Sequence, residues 1–177
     1  MKIIVIKFGG TSVGSLDRIK KVTKIIISYV KRKYRVIVIT SAMSGVTNEL
    51  LSKTRKIAKE FSNAEKDVIL STGEQIACAL IAGKLNDLGY VSRSWLSWQI
   101  PIITEGKYSS SRIVSVYKNK VLNYLKKGGI PIIAGFQGIN SDNRLTTLER
   151  GGSDATAIMC ARFFRACLLY TSDAADE

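Results

Sequence analysis

Three short, almost wholly apolar segments constrain the fold of this chain more than any other feature. They are KIIVIKF at residues 2–8, RVIVIT at 35–40 and IPIIAGF at 130–136. Apolar runs of this length are typical of strands that are buried on both faces of a parallel sheet. Segments with helical spacing of apolar residues separate them, as in α/β proteins. The sequence therefore predicts a mainly parallel sheet with helices on both faces.

Helical periodicity and glycine positions predict the connecting elements. Ser15 is a candidate N-cap for the first helix, and Gly89 and Gly128 stand where helices should end. No repeat, linker or change of composition indicates a second domain. The predicted helices cover residues 16–31, about 48–61, 66–88 and 112–127, with strand-like pieces in 90–104 and a last helix beginning near 151–154.

The chain is basic, but the distribution of its charge does not indicate nucleic-acid binding. Its 177 residues include 27 Lys and Arg against 14 Asp and Glu, a net charge of +13. The basic residues alternate with apolar positions on the predicted helices, which is typical of a solvated helix face. We therefore expect no nucleic-acid partner and assign the charge to the attraction of a small polyanion such as a nucleotide.

The residue types that are rare or missing exclude several classes of protein. The chain has no histidine, which excludes catalytic triads and general bases built on that side chain. Its three cysteines match no zinc-ligand spacing and are expected to be reduced thiols of a cytoplasmic protein. No wholly apolar run approaches the ~18 residues of a membrane span, so we expect no membrane partner.

Small polar residues follow each predicted strand at the edge where parallel sheets bind ligands. These segments are Gly9–Ser12, Ser41–Thr47 and Gly135–Gly138. Glycines let backbone N–H groups approach an anion, and helix N-termini add partial positive charge. The first cluster is neither a Rossmann fingerprint nor a Walker A loop. The sequence thus predicts a phosphate site with a polar small substrate beside it.

Three further motifs contain charged residues whose roles remain open from the residues alone. Lys7 either lies on a half-exposed strand face or provides a cation at the strand's carboxyl end for a transferring phosphate. Glu74 either complements the dipole of a helix's first turn or binds a substrate ammonium. The segment 150–154 also has two interpretations. In one, Ser153 or Asp154 caps a glycine turn; in the other, Arg150 binds a carboxylate and Asp154 faces phosphate and metal.

Five motifs, taken together, resemble the catalytic domain of aspartokinases, most nearly the monofunctional bacterial type. The resemblance covers residues 1 to about 161. The motifs are KFGGTSV at 7–13, SAMSGVTN at 41–48, STGEQ at 71–75, GFQG at 135–138 and TTLERGGSD at 146–154.

This resemblance implies the amino-acid-kinase fold, a three-layer αβα sandwich, here expected to be truncated at its C-terminus. It implies transfer of the γ-phosphoryl group of ATP, with Mg²⁺, to the β-carboxylate of L-aspartate, the first step towards lysine, threonine and methionine. It also implies a homo-oligomer for the full-length protein. Carboxylate nucleophiles are ionised at pH 7, so the missing histidine is no obstacle.

The resemblance also implies roles for individual residues. Lys7 and Asp154 would be catalytic, with Lys7 stabilising the transferring phosphoryl group. No residue is assigned as a metal ligand, although Ser153 and Asp154 would lie where phosphate meets metal. The implied nucleotide-binding residues are Lys7, Phe8, Gly9, Gly10, Ser41 and Ser153. The implied aspartate-binding residues are Thr47, Glu74, Arg150, Gly151, Gly152 and Ser153.

The chain departs from the family pattern at two places. Glu149 replaces the usual glycine before the RGGSD motif. Residues 162–177 do not follow the pattern, so we expect the catalytic domain to comprise residues 1–161, incomplete, with a non-native tail after it. A kinase for glutamate or another small acid, a catalytically inactive fragment and a basic binding module are the alternative interpretations.

Overall fold

The structure of the chain is a computed structural model that describes residues 2–172. Helices and strands alternate along these residues, as the sequence predicts. In chain order the elements are β1 (Ile3–Phe8), α1 (Leu16–Lys31), β2 (Arg35–Thr40), α2 (Val46–Ile57), α3 (Asn63–Asp87), β3 (Ser92–Trp95), β4 (Ile102–Glu105), β5 (Arg112–Val116), α4 (Asn119–Lys126), β6 (Ile130–Ala134), β7 (Gln137–Ile139), β8 (Leu145–Thr147), α5 (Gly152–Phe163) and β9 (Leu168–Ser172).

The main sheet is parallel and has the strand order β3-β6-β2-β1-β9. The three apolar runs of the sequence are β1, β2 and β6, which are neighbours in this sheet. All of their residues are buried except the half-buried Arg35. The prediction of strands buried on both faces is therefore confirmed.

Helices cover both faces of this sheet and give the three layers that the resemblance implies. Alternate residues of β1 point to opposite faces, because side chains in a strand alternate. Ile4 and Ile6 pack with α1 and α3, whereas Ile3 and Val5 pack with α4 and α5. Lys7 has the same parity as Val5, so its side chain lies on the α5 face.

One predicted helix is partly wrong. The sequence predicts a helix over 112–127, but Arg112–Val116 form β5, and α4 begins only at Asn119. The β-branched residues of this segment favour an extended backbone, and β5 pairs with β4 in antiparallel orientation. A second, four-stranded sheet in the order β5-β4-β7-β8 results, and β7 includes Gln137 and Gly138, for which a turn was expected.

Helix α3 is the longest of the described elements. By length and composition alone it could cross a membrane, because its 25 residues include a long apolar stretch with few charged side chains. Half of its most apolar window is buried inside the fold, and Ala77, Ile81 and Leu85 pack against the main sheet. In this structure α3 is a core helix.

The main sheet has β9 next to β1. Leu168–Ser172 pair with Ile4–Phe8 in parallel, and the Gly9 N–H donates to the Ser172 carbonyl over 3.1 Å. The expected domain boundary after residue 161 falls within α5 and stays a prediction. The remainder of the expected tail, residues 173–177, lies outside the described residues.

Candidate active site

A cleft of about 650 Å³ opens at the carboxyl ends of the main-sheet strands. Parallel α/β sheets bind ligands at this edge. Most of the residues assigned by resemblance line this cleft, although they come from distant parts of the chain. These are Gly10, Ser41, Thr47, Glu74, Arg150, Gly151, Gly152, Ser153 and Asp154.

Three of the assigned residues lie beneath the cleft and do not line it. Phe8 is fully buried in the core with α1 and α3, so only its backbone is near the cleft, and its carbonyl accepts the Ser41 N–H over 3.1 Å. Gly9 is buried, and Lys7 is only 4% exposed. The interpretation of Lys7 as part of a half-exposed strand face is therefore wrong.

Lys7 forms an ion pair with Asp154 across two elements. Its Nζ lies 2.9 Å from Asp154 Oδ1, and the Asp154 side chain is half exposed at the cleft. The pair arises because Lys7 points to the α5 face of the sheet and Asp154 lies in the first turn of α5. A buried ammonium beside a partly solvated carboxylate places positive charge at the strand's carboxyl end, where an anion could approach.

The N-terminus of α5 forms one wall of the cleft. Gly151 is the N-cap, in the left-handed region with φ 83°, and no side chain caps the helix. The interpretation of Ser153 or Asp154 as the cap is therefore wrong. A Cβ added to Gly152 would lie 2.7 Å from Leu148 Cβ and Phe136 Cδ2, so only glycine fits there. The turn brings the backbone N–H groups at the start of this 12-residue helix to the cleft, where they suit an anion.

Glu74 provides a buried carboxylate on the opposite wall. It lies in the middle of α3, so the first-turn interpretation is wrong. Its Oε1 accepts the Ala42 N–H over 3.1 Å, and its Oε2 has no hydrogen-bond partner among the described residues. Burial raises the pKa of this carboxyl to about 7. An unpaired buried carboxylate oxygen favours a bound cation, and an ammonium would supply the missing donor.

One face of α3 anchors three segments that surround the cleft. Asp67, Ser71 and Glu74 are spaced by four and three residues and so share this face. Asp67 binds Ser109 and Thr147, the Ser71 carbonyl accepts from Gln137 Nε2 over 3.0 Å, and Glu74 binds the loop after β2.

Sequence reasoning did not identify Asp67, Ser109 or Thr147 as functional. Ser109 and Thr147 line the cleft, and Asp67 holds both of them. Thr147 belongs to the last motif, which was the one available signal. Nothing in the local sequence distinguishes Asp67 from an exposed helix acid.

Glu149, the departure from the family pattern, is compatible with the turn. Its side chain is exposed, and the positive φ of this turn is at Gly151, not at Glu149. Because the backbone at Glu149 does not require glycine, its bulk does not prevent the RGGSD segment from reaching the cleft.

The cleft residues fit Mg²⁺ only in part. Within residues 2–172, no three His, Cys, Asp or Glu side chains cluster as a metal site. Asp154 is half exposed, and Mg²⁺ commonly binds one or two carboxylates together with substrate phosphates. Asp154 therefore fits a metal that arrives with a nucleotide.

The chain belongs to the amino acid kinase family, whose model matches residues 2–175. Within that family its relatives are aspartokinases. It is 45% identical over 177 residues to an aspartokinase of Rickettsia conorii, with 97% of this chain and 44% of the relative covered. It is 43% identical to that of Geobacillus stearothermophilus, with 97% and 42% covered. The chain thus spans less than half the length of these relatives.

Solved structures show the same fold. Aspartate kinase from Synechocystis superposes with a TM-score of 0.82 at 35% identity, with 97% of this chain and 28% of that chain covered. Escherichia coli aspartokinase III, solved with aspartate and ADP, gives a TM-score of 0.82 at 23% identity, with 97% and 49% covered. The second likeness is one of fold alone.

Proposed function

We propose that the chain is part of the catalytic domain of an aspartate kinase. The reaction is transfer of the γ-phosphoryl group of ATP to the β-carboxylate of L-aspartate, giving 4-phospho-L-aspartate for lysine, threonine and methionine synthesis. The observation that carries this proposal is a cleft with two chemically different walls. One wall has the Lys7–Asp154 pair and the α5 N-terminus, and the other has the unpaired oxygen of Glu74.

The α5 wall suits the nucleotide phosphates. Lys7 provides a fixed positive charge, and Gly151–Ser153 provide N–H groups at a helix N-terminus, which together bind anions. Gly10 and Ser41 line the cleft at the ends of two neighbouring strands and would approach the phosphates, with Gly9 beneath them. Bound Mg²⁺ would be held by Asp154 and the phosphates and would neutralise negative charge on them.

The α3 wall suits the amino acid. Glu74 Oε2 would accept from the substrate ammonium, and Arg150, which is exposed at the cleft, would bind a carboxylate. Thr47, in the first turn of α2, contributes a hydroxyl to the same cleft.

The proposed reaction needs alignment and charge neutralisation and no general base. The attacking β-carboxylate is ionised at pH 7, and two anions must meet in the cleft. Lys7 lies where it can stabilise charge on the transferring phosphoryl group, and its ion pair with Asp154 fixes its position before substrate binds. We expect a cytoplasmic enzyme that is a homo-oligomer at full length and has neither nucleic-acid nor membrane partners.

Trapping of the product tests this proposal. The purified chain is incubated with Mg-ATP, hydroxylamine and one of three acids: L-aspartate, L-glutamate or N-acetyl-L-aspartate. We expect hydroxamate from L-aspartate and none from N-acetyl-L-aspartate, which lacks the ammonium that Glu74 would bind. If only L-glutamate gave hydroxamate, the substrate would be L-glutamate and not L-aspartate. The proposal would be overturned if no acid gave hydroxamate and Mg-ATP with aspartate left the melting temperature unchanged.

A further inference from the structure

Asp67 is fully buried, with 0% exposure, and it accepts hydrogen bonds from two segments distant in sequence. The Ser109 N–H and the Thr147 N–H both donate to Oδ2 over 2.8 Å. The Ser109 hydroxyl donates to Oδ1 over 2.7 Å and the Thr147 hydroxyl donates to the same oxygen over 2.8 Å. A carboxylate has about four acceptor sites, so these donors satisfy Asp67 completely.

Asp67 only accepts hydrogen bonds in this arrangement, two backbone N–H groups at Oδ2 and two hydroxyls at Oδ1. An amide in its place could keep both N–H bonds only by donating its NH2 group to the two hydroxyls, which would reverse the polarity of those hydroxyls. A charged group without partners would be costly to bury, whereas charge-assisted hydrogen bonds of this number stabilise it. Asp67 is therefore a rigid anchor for two segments, each of which receives two of its four hydrogen bonds.

The two anchored segments form part of the cleft wall. Ser109 belongs to the loop between β4 and β5 and has a left-handed backbone with φ 66°, which is unfavourable for a residue with a side chain. Thr147 ends β8 and leads into the turn of Arg150. Both line the cleft, whereas Asp67 does not.

We propose that Asp67 is a positioning residue for the amino-acid end of the cleft. The inference rests on the proposed function and deepens it. Through Ser109 and Thr147, Asp67 holds the β4–β5 loop and the start of the Arg150 turn against α3, two helical turns from Glu74. Because both hydroxyls donate to Asp67, any ligand group that reaches them must itself donate a hydrogen bond. This polarity favours an ammonium, as Glu74 does.

Kinetics of matched variants test the inference. Asp67→Asn should raise the KM for L-aspartate about ten-fold or more, while the KM for ATP changes less than about two-fold. Thr147→Val removes the hydroxyl and keeps the N–H, and it should raise the same KM. Thr147→Ser keeps both donors, so its KM for L-aspartate should be close to that of the unaltered chain. If Asp67 had only a structural role, its replacement would lower kcat in proportion to the folded fraction and leave both KM values unchanged. That result would overturn the proposal.

Amide exchange provides a test that does not depend on activity or on the identity of the substrate. The Ser109 and Thr147 amides should be protected in the unaltered chain, and Asp67→Ala, which has no acceptor, should remove that protection while the amides of β1 and β2 keep theirs. Retained protection in Asp67→Ala would overturn the positioning role even if the chain is an aspartate kinase. If the variant loses protection but the unaltered chain does not phosphorylate aspartate, the structural role of Asp67 is supported and only the proposed function is rejected. If Asp67→Ala does not fold, Ser109→Ala and Thr147→Val each remove one hydroxyl donor to Asp67 and keep its N–H. Each should then raise the KM for L-aspartate and not that for ATP, and unchanged KM values in both variants would overturn the proposal.

Discussion

Lys7 Nζ and Asp154 Oδ1 lie 2.9 Å apart and connect the carboxyl end of β1 to the first turn of α5. Lys7 is buried, whereas the Asp154 side chain is half exposed, so the pair spans the boundary between core and cleft. The two residues come from nearly opposite ends of the described chain. The contact exists because α5 packs on the same face of β1 as the Lys7 side chain.

Replacement of Lys7 should remove phosphoryl transfer without unfolding the chain. We expect Lys7→Met to lower turnover on the order of 10²–10³-fold, the usual effect of losing one preorganised charge. The measurement is kcat at saturating Mg-ATP and L-aspartate. Lys20→Met is the matched control, since Lys20 forms an exposed ion pair with Asp17 at 2.8 Å on α1 and should be dispensable. Full activity of Lys7→Met would contradict the role assigned to Lys7.

Glu74 should make the stability of the free chain depend on pH. Burial raises the pKa of this carboxyl to about 7 from 4.5, so between these values the folded chain keeps a proton that the unfolded chain has lost. The free energy of unfolding should therefore fall as pH rises through this window and level off above it. Glu74→Gln should be more stable than the unaltered chain at pH 8, by up to about 3 kcal/mol, and similar to it at pH 4. Urea unfolding at pH 4 and pH 8 measures the difference in the free energy of unfolding between the two chains. The same difference at both pH values would contradict the prediction.

The affinity for L-aspartate should depend on pH in the opposite sense. An ammonium binds the ionised form of Glu74, so affinity should rise as pH increases through about 7. Because the chain has no histidine, the side chain that usually titrates between pH 5 and 8 is missing. Calorimetric titration of Glu74→Gln should show weaker binding with a flat pH profile. A slope in Glu74→Gln that matched the unaltered chain would assign the titration to another group.

Two glycines of α3 should respond oppositely to replacement by alanine. A Cβ at Gly73 would lie 2.8 Å from Ala42 Cβ, whereas one at Gly83 would meet nothing within 4 Å. Gly73→Ala should cost about 1–3 kcal/mol by overpacking and weaken aspartate binding, since Ala42 also binds Glu74. Gly83→Ala should stabilise the helix by about 0.5–1 kcal/mol. Urea denaturation of both variants measures the difference, and stabilisation of equal size in the two variants would show that helix propensity, not the contact with Ala42, decides.

The three thiols should differ in reactivity. Burial raises the pKa of Cys78 and of Cys160 to about 12, while Cys167 is exposed. Because the thiolate is the reactive form, iodoacetamide at pH 7.5 should modify Cys167 first in the folded chain and all three after denaturation. Mass spectrometry of the digested protein identifies the modified residue. Rapid modification of Cys78 would show that the packing of α3 on β6 differs from the structure.

The elements predicted best are those whose pattern has a single physical explanation. An unbroken apolar run such as Ile37–Ile39 must be buried on both sides, so β1, β2 and β6 are correctly predicted from the sequence. The segment 112–116 was predicted wrongly, because its β-branched residues are compatible with either structure and its pairing with β4, across the loop between the two strands, leaves no mark in the segment itself. Tertiary pairing decides such a segment.

The same distinction applies to the candidate site. The sheet, the polar segments at its edge and the residue types that suit phosphate and amino acid could be predicted from the sequence, because they follow from local periodicity and chemistry. Which of these residues lie in contact depends on the folded arrangement of the chain. Folding brings Lys7 to Asp154 and leaves the Glu74 carboxylate with one hydrogen-bond donor, the Ala42 N–H. It also surrounds Asp67 with four donors. Burial and hydrogen-bond pairing depend on neighbours that are distant in sequence, and no local pattern encodes them.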